Sequence, residues 1–430
     1  MKQVNHKLHI RNAMAWLLAL SMASCGLNEL DNFDAPDTQL HGCIIDIDTG
    51  EKISSELYNG AQIAIQQLGY ETPANQYLLI DANGEYRNNL LFAGRYRIRP
   101  YNRNFIGGSV DTIDIRGDTQ YDFHVRPYVR FINPQITLEG QKVVAKFRIK
   151  NNLDSAGVNI KQMALFLYDG PMVGSQLRNA ASKVMTVNTN YPEDEEMTLT
   201  LNLASHINDV EPGKTYSFRL GAQSAQSAAY WNFSPIFNIT MPSQITEDPV
   251  DGVLFSNCDK VSTSGVGAWS ANNVAYQPKP TVDGFDFTEG DASIKWELPT
   301  SIGKRNIFMI YQSNYGIKTG YTIQNGALKF DLYISDKDAI QINGGRMEIN
   351  SAGVNDRQQL QWQSKSVFAS LNLHNGWNHV SLPLRTAARK DVGGVINLDN
   401  LRRLRFFFTA TILCVSYWKL DNVRIGSAEN

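Results

Sequence analysis

Cysteine is scarce in this sequence, which has only four cysteines in 430 residues, at positions 25, 43, 258 and 414. Because no two of them are close in the sequence, the zinc and redox sites that use CxxC pairs are excluded. Isolated cysteines are mostly small buried apolar residues, so we expect free thiols at Cys258 and Cys414. A disulfide between these two is the alternative, if their strands are neighbours.

The sequence also lacks an excess of charge and a long apolar run. The formal net charge is −2 and the isoelectric point is about 6.4, so a basic surface for nucleic acid is not expected. No apolar run reaches the length of about 20 residues that a membrane-spanning helix needs. Tyrosine (18 residues) and tryptophan (7 residues) are frequent, and helical charge patterns are scarce, which is typical of an exported all-β protein.

The first residues have the pattern of a secretory signal. Three basic residues and no acidic ones precede a short apolar run at 13–23, which ends in small residues. The segment that ends at Cys25 resembles a bacterial lipobox, in which the cysteine is acylated and becomes the first mature residue. The resemblance implies a signal peptide at 1–24 and a lipidated Cys25 with a polar tether at 25–38. An ordinary signal peptide with a chance cysteine is the alternative.

Residues 39–127 alternate apolar and polar side chains in short segments that glycine-rich turns separate. GRYRIRP places Tyr96 and Ile98 on one face, and QYDFHVRP does the same with Phe123 and Val125. Alternation over about four to eight residues predicts half-buried strands. The order HGCIIDIDTGE, NGAQIAI, DANGEYRNNLLFAGRYRIRP resembles the transthyretin-like, carboxypeptidase-regulatory-like sandwich. That resemblance implies a fold and no activity.

Residues 128–243 carry a second set of strand patterns. KVVAKFRIK alternates Ala145, Phe147 and Ile149 with basic residues, and TLTLNL alternates leucine with polar residues. The segment EPGKTYSFRLGAQSAQSAAYWNFSPIFNITM resembles the end of a fibronectin type III or immunoglobulin-like sandwich. Acidic residues and a proline then predict a linker at 244–251.

Residues 14–243 as a whole resemble a family of Bacteroidetes-type surface lipoproteins that is named only as a domain of unknown function. LHGCIIDIDTGEKI and NGAQIAIQQLGYETP carry the resemblance. Members are often encoded beside starch-utilisation-system-like (Sus-type) glycan importers. The resemblance therefore implies an outer-membrane, lipid-anchored protein at the cell surface, with components of such an importer as partners.

Residues 252–430 have longer strand patterns and form the predicted C-terminal domain. ASIKWEL places Trp296 on a buried face by alternation. NGWNHVSLPL and YWKLDNVRIG resemble two late strands of the galactose-binding-like jelly roll of many carbohydrate-binding modules, which implies interior positions for Trp377 and Trp418. The predicted fold is all-β, with three tandem β-sandwich domains after the signal peptide: transthyretin-like, immunoglobulin- or fibronectin-like, and jelly roll.

Motifs of enzymatic catalysis are missing. The sequence contains neither a GxSxG elbow nor a P-loop, and Glu85, Glu297 and Glu348 occupy strand positions that are predicted to face solvent. Glycoside hydrolysis needs two carboxylates that face each other across a cleft, and no such pair is recognisable. We therefore expect a protein that is not an enzyme.

Aromatic side chains in polar segments of the last domain are the predicted glycan-binding groups. A flat ring covers the C–H face of a sugar at a low cost in entropy, and amide groups nearby bind the hydroxyls. The candidates are Trp269, Tyr276, Tyr311, Tyr315 and Trp362. Burial in the core is the alternative for each of them. The sequence favours burial for Trp362, because this residue shares a face of its predicted strand with the apolar Leu360.

A metal site has little support in the sequence. Some jelly rolls of this type hold a structural Ca²⁺ between their first and last strands, and Asp259 and Asp421 occupy the matching positions. Calcium takes about six to eight oxygen ligands, and only these two are recognisable. The expectation is therefore no cofactor, with a structural Ca²⁺ as the alternative.

The sequence predicts a non-catalytic, lipid-anchored surface protein whose C-terminal domain binds an oligo- or polysaccharide for a Sus-type system. The first alternative is a fimbria-like or scaffold protein whose ligand is another protein, and the second is a hydrolase with a shallow site. Glycan binding predicts an exposed aromatic pair on residues 252–430. A fimbrial subunit predicts an unpaired strand, and a hydrolase predicts two converging carboxylates.

Overall fold

The computed structural model of the chain describes residues 35–226, 228–246, 251–262, 266–271, 279–298, 303–353 and 357–428. Nearly all regular structure in these residues is β-strand, arranged as sandwiches, which confirms the predicted fold class. The one α-helix in the described part is α1 (Ser364–Ser370), and no helix there is long and apolar enough to cross a membrane. The predicted signal peptide and Cys25 lie outside these ranges.

The first sandwich occupies residues 38–127. Its strands are β1 (Thr38–Asp46), β2 (Gln62–Gln67), β3 (Asn75–Leu79), β4 (Glu85–Leu91), β5 (Gly94–Pro100), β6 (Phe105–Ile106), β7 (Asp111–Ile115), β8 (Asp118–Gln120) and β9 (Phe123–Pro127). One sheet has the order β4-β1-β9-β6, with β8 also paired to β1, and the other has the order β3-β2-β5-β7. Alternate residues such as Tyr96 and Ile98 fill the core between the sheets, as the sequence predicts.

The second sandwich follows directly. Its strands are β10 (Val129–Glu139), β11 (Lys142–Asn151), β12 (Ile160–Tyr168), β13 (Lys183–Thr189), β14 (Met197–Asn202), β15 (Thr215–Ser224), β16 (Trp231–Phe233) and β17 (Phe237–Thr240). One sheet has the order β10-β11-β14, and the other has the order β13-β12-β15-β16, with β17 also paired to β15. Ala145, Phe147 and Ile149 point into the core, which confirms the alternation that the sequence shows.

A buried arginine joins the first two sandwiches. Arg219 of β15 is fully buried and donates to the carbonyl of Val173 (3.2 Å), to that of Ser234 (3.0 Å) and to the hydroxyl of Ser54 in the first sandwich. Its guanidinium lies 4.0 Å from the centre of the Phe233 ring. Burial lowers the pKa of Arg219 to about 9. A charge in this position holds the two sandwiches together, because Ser54 and the nearby carboxylates of Glu56 and Asp81 in the first sandwich help to compensate its lost hydration.

The third sandwich is the largest. Its strands are β18 (Val253–Ser256), β19 (Trp269–Ser270), β20 (Thr281–Asp283), β21 (Ser293–Glu297), β22 (Gly303–Ile317), β23 (Gly326–Ile334), β24 (Ile340–Asn350), β25 (Gln359–Gln363), β26 (Gly376–Pro383), β27 (Ala388–Lys390), β28 (Leu401–Ile412) and β29 (Tyr417–Ser427). One sheet has the order β20-β21-β29-β23-β26, with β18 also paired to β29. The facing sheet has the order β19-β22-β28-β24-β25-β27.

Each sandwich has its own hydrophobic core. The three clusters run from Leu40 to Val125, from Tyr128 to Ile245 and from Phe255 to Ile425. Short 3₁₀ turns occur at Asp154–Ala156, Ala204–His206, Lys337–Ala339, Leu384–Thr386 and Leu398–Asn400. The domain limits drawn from the sequence stay predictions.

Candidate functional site

A loop of the third sandwich, residues 283–291, lies against the second sandwich. The backbone N–H of Thr200 donates to the carbonyl of Phe285 (2.8 Å), and Nζ of Lys142 donates to the carbonyl of Thr288 (2.6 Å). The Phe285 ring also packs against the core of the second sandwich. These contacts join the two sandwiches along the loop.

The side chain of Lys183 reaches the same loop from the second sandwich. Its Nζ donates to the carbonyl of Asp291 (3.0 Å) and lies 4.3 Å from the centre of the Phe287 ring. Burial lowers the pKa of Lys183 to about 8, although the nearby carboxylates of Asp291, Asp283 and Asp259 act in the opposite direction. The junction therefore contains a lysine whose charged form is poorly solvated.

A cleft beside this junction encloses about 470 Å³. That volume falls within the range of about 300–1,000 Å³ that is usual for small-molecule sites, and domain interfaces are common places for such sites. Aromatic, aliphatic and charged side chains are mixed in its walls. The chemically distinctive lining residues are Tyr191, Glu195, Asp283, Asp286, Lys295, Tyr333, Tyr417 and Lys419.

Three half-buried aromatic side chains stand in a row on the sheet of the third sandwich that borders the cleft. Tyr333 of β23 and Tyr417 of β29 have parallel rings with centroids 5.7 Å apart, and Trp377 of β26 meets Tyr333 edge to face at 5.4 Å. The strand register explains the row, because Tyr333 is paired directly with Trp377. Burial raises the pKa of Tyr417. Both tyrosines line the cleft, and Nζ of Lys419 lies over both rings, 4.9 Å from the centre of Tyr333 and 5.8 Å from that of Tyr417.

A buried ion pair lies beside these rings. Nζ of Lys419 is 2.9 Å from Oδ2 of Asp283 and 3.5 Å from Oδ2 of Asp286, and the indole N–H of Trp377 donates to the same Asp286 oxygen (3.0 Å). Burial acts to lower the pKa of Lys419, but Asp283 and Asp286 outweigh it and the pKa is raised. The ammonium group of Lys419 is therefore charged at neutral pH and fixed beside the two carboxyl groups, so the cluster offers oriented donors and acceptors.

The second sandwich supplies the opposite wall. The Tyr191 ring lies 6.2 Å from that of Phe285, in an edge-to-face arrangement. Burial, with smaller contributions from Asp283 and Glu195, raises the pKa of Tyr191 to about 12, so its hydroxyl is protonated at neutral pH. Met185, Val187 and Met197 add apolar surface. The cleft thus combines apolar patches with hydroxyl, carboxylate and ammonium groups.

The aromatic residues predicted from the sequence do not form this site. Trp269 is 0% exposed, stacks on Phe406 (centroids 5.9 Å apart) and donates from its indole N–H to Ser256 (3.0 Å). Trp362 is buried in the same core and donates to Thr386 (3.1 Å). Neither indole presents the exposed ring that the glycan-binding prediction requires, because β19 and β25 direct both inward; for Trp362 this is the burial that its shared face with Leu360 favours.

The three predicted tyrosines are not gathered at one place either. Tyr311 is half-buried, with its ring 5.6 Å from that of Trp269 and 5.6 Å from that of Phe255. Tyr315 is 71% exposed near the end of β22. Tyr276 lies outside the described residues. An exposed pair of the predicted aromatics is therefore not seen in the described part of the chain.

Two of the three tryptophans predicted to be interior are confirmed. Trp296 and Trp418 are buried, with ring centroids 6.2 Å apart. The prediction for Trp377 is wrong, because Asn378 and Val380 occupy the inward positions of β26 and turn Trp377 to the outer face. Glu348, predicted to face solvent, is fully buried and forms ion pairs with Arg405 (2.6 Å) and Arg346 (2.9 Å).

Asp259 and Asp421 contact the 283–291 loop and its continuation from two sides. Asp421 accepts from the backbone N–H groups of Thr288 (2.6 Å) and Glu289 (3.0 Å), and burial raises its pKa. Asp259 accepts from the N–H of Ala292 (2.8 Å). Among the described residues, no group of three or more His, Cys, Asp or Glu is arranged to hold a metal ion. Both carboxylates anchor the loop, and the calcium site stays a prediction.

Two family models match the chain over the first two sandwiches. Residues 38–126 match "Protein of unknown function (DUF3823) N-terminal domain", and residues 129–238 match "Domain of unknown function (DUF3823_C)". The predicted resemblance to a family named only as a domain of unknown function is confirmed at this level. No curated protein matches the sequence.

Solved structures with similar chains include a "putative carbohydrate binding protein" from Bacteroides uniformis, at 29% identity and a TM-score of 0.43, over 48% of this chain and 100% of that one. A DUF3823 family protein from Bacteroides ovatus has 22% identity and a TM-score of 0.41 over the same shares. The family 30 carbohydrate-binding module of a Clostridium thermocellum cellulosomal cellulase has 16% identity and a TM-score of 0.25, over 35% and 83%.

Proposed function

We propose that this protein is a non-catalytic glycan-binding protein and that the cleft between its second and third sandwiches holds the saccharide. The observation that carries the proposal is the meeting of aromatic rings with fixed charges in a space of about 470 Å³. Sugars present apolar C–H groups and hydroxyls in close alternation. A wall that joins Tyr333 and Tyr417 to the Lys419–Asp283 pair matches both kinds of group.

The engagement of Asp283 and Asp286 by a lysine favours binding over hydrolysis by this pair of carboxylates. A glycosidase uses one carboxyl group as a proton donor and a second as base or nucleophile, across the scissile bond. Here Asp283 and Asp286 both contact Lys419, and Asp286 also accepts from Trp377. Carboxylates engaged in this way are suited to receive hydrogen bonds from sugar hydroxyls.

The proposal places the protein at the outer membrane, with Cys25 lipidated and the three sandwiches extended from the cell surface. In that position it would hold an oligo- or polysaccharide near a Sus-type importer. Labelling with a radioactive fatty acid in a bacteroidete host tests the anchor. The wild-type chain is expected to take up label and sediment with outer membranes, and Cys25→Ala is expected to do neither. Equal labelling of both forms would contradict lipidation at Cys25.

Affinity electrophoresis tests glycan binding directly. The chain from residue 26 onward is run through native gels that contain xylan, mannan, mixed-linkage β-glucan, starch or pectin. Retardation in at least one neutral polysaccharide is expected, because the cleft presents hydroxyl-binding groups of both signs. Unretarded migration in every neutral gel would contradict the proposal and favour a protein ligand.

A further inference from the structure

The first sandwich exposes a pair of tyrosines on the outer face of its β3-β2-β5-β7 sheet. The rings of Tyr77 and Tyr101 are 4.6 Å apart between centroids, and the two residues are 46% and 45% exposed. Ala64 of β2 pairs with Tyr77 on one side and with Arg99 on the other, and it is only 1% exposed. The side chains of Tyr77 and Arg99 therefore cover the small Ala64 between them and form a continuous surface.

A row of arginines runs along the same face. Arg95, Arg97 and Arg99 alternate in β5 with residues whose side chains enter the core, so all three point outward. The guanidinium of Arg99 lies 5.4 Å from the centre of the Tyr101 ring. Alternate side chains of a strand are about 7 Å apart, which gives an evenly spaced positive row beside the tyrosine pair.

Little negative charge compensates this row. Asp114 approaches Arg95 at 3.9 Å, and both side chains of that pair are well exposed. Arg97 donates to the amide oxygen of Gln66 at 3.4 Å, a neutral partner. Among the described residues, neither Arg97 nor Arg99 forms an ion pair. Exposed guanidinium groups in this state are available to bind carboxylates or sulfates in a two-point geometry.

We propose that this surface, formed by Tyr77, Tyr101, Arg95, Arg97 and Arg99, binds an anionic polysaccharide at a second site that is independent of the cleft. The tyrosine pair covers the apolar faces of sugar rings, and the arginine row binds acidic groups that recur along the chain. A regular series of uronate or sulfate groups complements the row in charge. The overall net charge of −2 makes a nucleic acid a poorer match than a polysaccharide of lower charge density.

Affinity electrophoresis with three probes tests this assignment on the chain from residue 26 onward. Polygalacturonate supplies carboxylates, dextran sulfate supplies sulfates, and dextran is the neutral match of the sulfated polymer. Retardation is expected with at least one anionic probe and not with dextran. It is expected to weaken between about 0.1 M and about 1 M NaCl, where the Debye length falls from about 10 Å to about 3 Å. Migration equal in all three gels would overturn the proposal.

Two double variants, Arg97→Gln with Arg99→Gln and Tyr77→Ala with Tyr101→Ala, locate the site. Each is expected to lose affinity for the anionic probe by about tenfold or more. The matched controls are Arg87→Gln, on the opposite sheet, and Tyr58→Ala, in a loop, and both are expected to bind like the wild type. Thermal unfolding verifies that each variant is folded.

Three results would overturn the assignment even if an anionic probe is bound. The first is unchanged affinity in both double variants. The second is an equal loss of affinity in the controls. The third is binding of duplex DNA or of phosphatidylglycerol vesicles that exceeds the polysaccharide binding and disappears with Arg97→Gln and Arg99→Gln. Thr281→Trp, which fills the cleft, is expected to bind anionic probes normally, so failure of the cleft and failure of this surface are distinguishable.

Discussion

Nζ of Lys419 lies 2.9 Å from Oδ2 of Asp283, and the two side chains are only 6% and 10% exposed. The pair connects β29, in the middle of its sheet, to β20, at the edge of the same sheet, and it forms part of the cleft wall. Because Asp286 lies on the other side of Lys419, the ammonium group is shared by two carboxylates.

Replacing Lys419 by methionine is expected to destabilise the protein by about 3–5 kcal/mol, because it leaves Asp283 without compensation in a buried place. Urea unfolding followed by circular dichroism measures the effect. The matched control is Lys295→Met, on the neighbouring strand and the same face, whose partner Glu297 is 75% exposed. The control is expected to cost less than about 1 kcal/mol. If both variants lost the same free energy of unfolding, the Lys419 ion pair would contribute no more to stability than an exposed pair does.

The lowered pKa of Lys183 predicts a rise of stability with pH. Below about pH 8 the lysine is protonated in both states, and above its unfolded value of 10.5 it is neutral in both. Between these limits the unfolded chain holds a proton that the folded chain has lost, so the free energy of unfolding increases with pH.

Between pH 7 and pH 10.5 this increase in the free energy of unfolding is on the order of 3 kcal/mol. It is measured as the change, over that pH range, in the difference between the unfolding free energies of wild type and Lys183→Met. The subtraction removes the contribution of the tyrosines, which titrate in both proteins. A difference that stays flat or falls with pH would contradict the buried position of Lys183 at the junction.

The three described cysteines are free, and their surroundings predict different reactivity. Cys414 is exposed, Cys43 is half-buried, and burial raises the pKa of Cys258 well above its usual value. With a thiol reagent, the folded chain from residue 26 is expected to show one fast reaction, which Cys414→Ser removes. Cys258 is expected to react only after unfolding. A mass 2 Da lower than the reduced chain would instead reveal a disulfide, as the alternative reading of the sequence requires.

Alternation in the sequence was enough to predict the class of fold and much of the core. Alternation places Trp296 correctly because Ile294 and Leu298 are apolar, and the resemblance of its strand to a jelly roll places Trp418 correctly. Alternation also implies that Tyr333 and Tyr417 face outward, because their neighbours Ile334 and Trp418 face inward. Neither tyrosine is among the binding candidates from the sequence, because both lie on the outer face of predicted strands and not in polar loops.

The remainder of the site could not be predicted from one segment at a time. Trp269 has no alternating neighbours, and its burial depends on pairing with Tyr311, which is about 40 residues away in the sequence. The cleft exists because the 283–291 loop lies against Thr200 of another sandwich. Contacts between domains leave no local pattern in the sequence. Lys183 and Lys419 therefore cannot be distinguished there from ordinary surface lysines.

The cleft itself is the central claim, and filling it is the most direct test. Thr281 lines the cleft, is exposed and shares a face of the sheet with Lys295 and Lys419, so Thr281→Trp adds bulk there without removing a core contact. Val184→Trp, at a similarly exposed strand position that does not line the cleft, is the matched control. Isothermal titration calorimetry compares both variants with wild type. The ligand is a soluble oligosaccharide prepared from the neutral polysaccharide that retards the wild type. We predict that Thr281→Trp loses at least about tenfold in affinity while Val184→Trp changes it by less than about twofold. Wild-type affinity in Thr281→Trp would contradict the account.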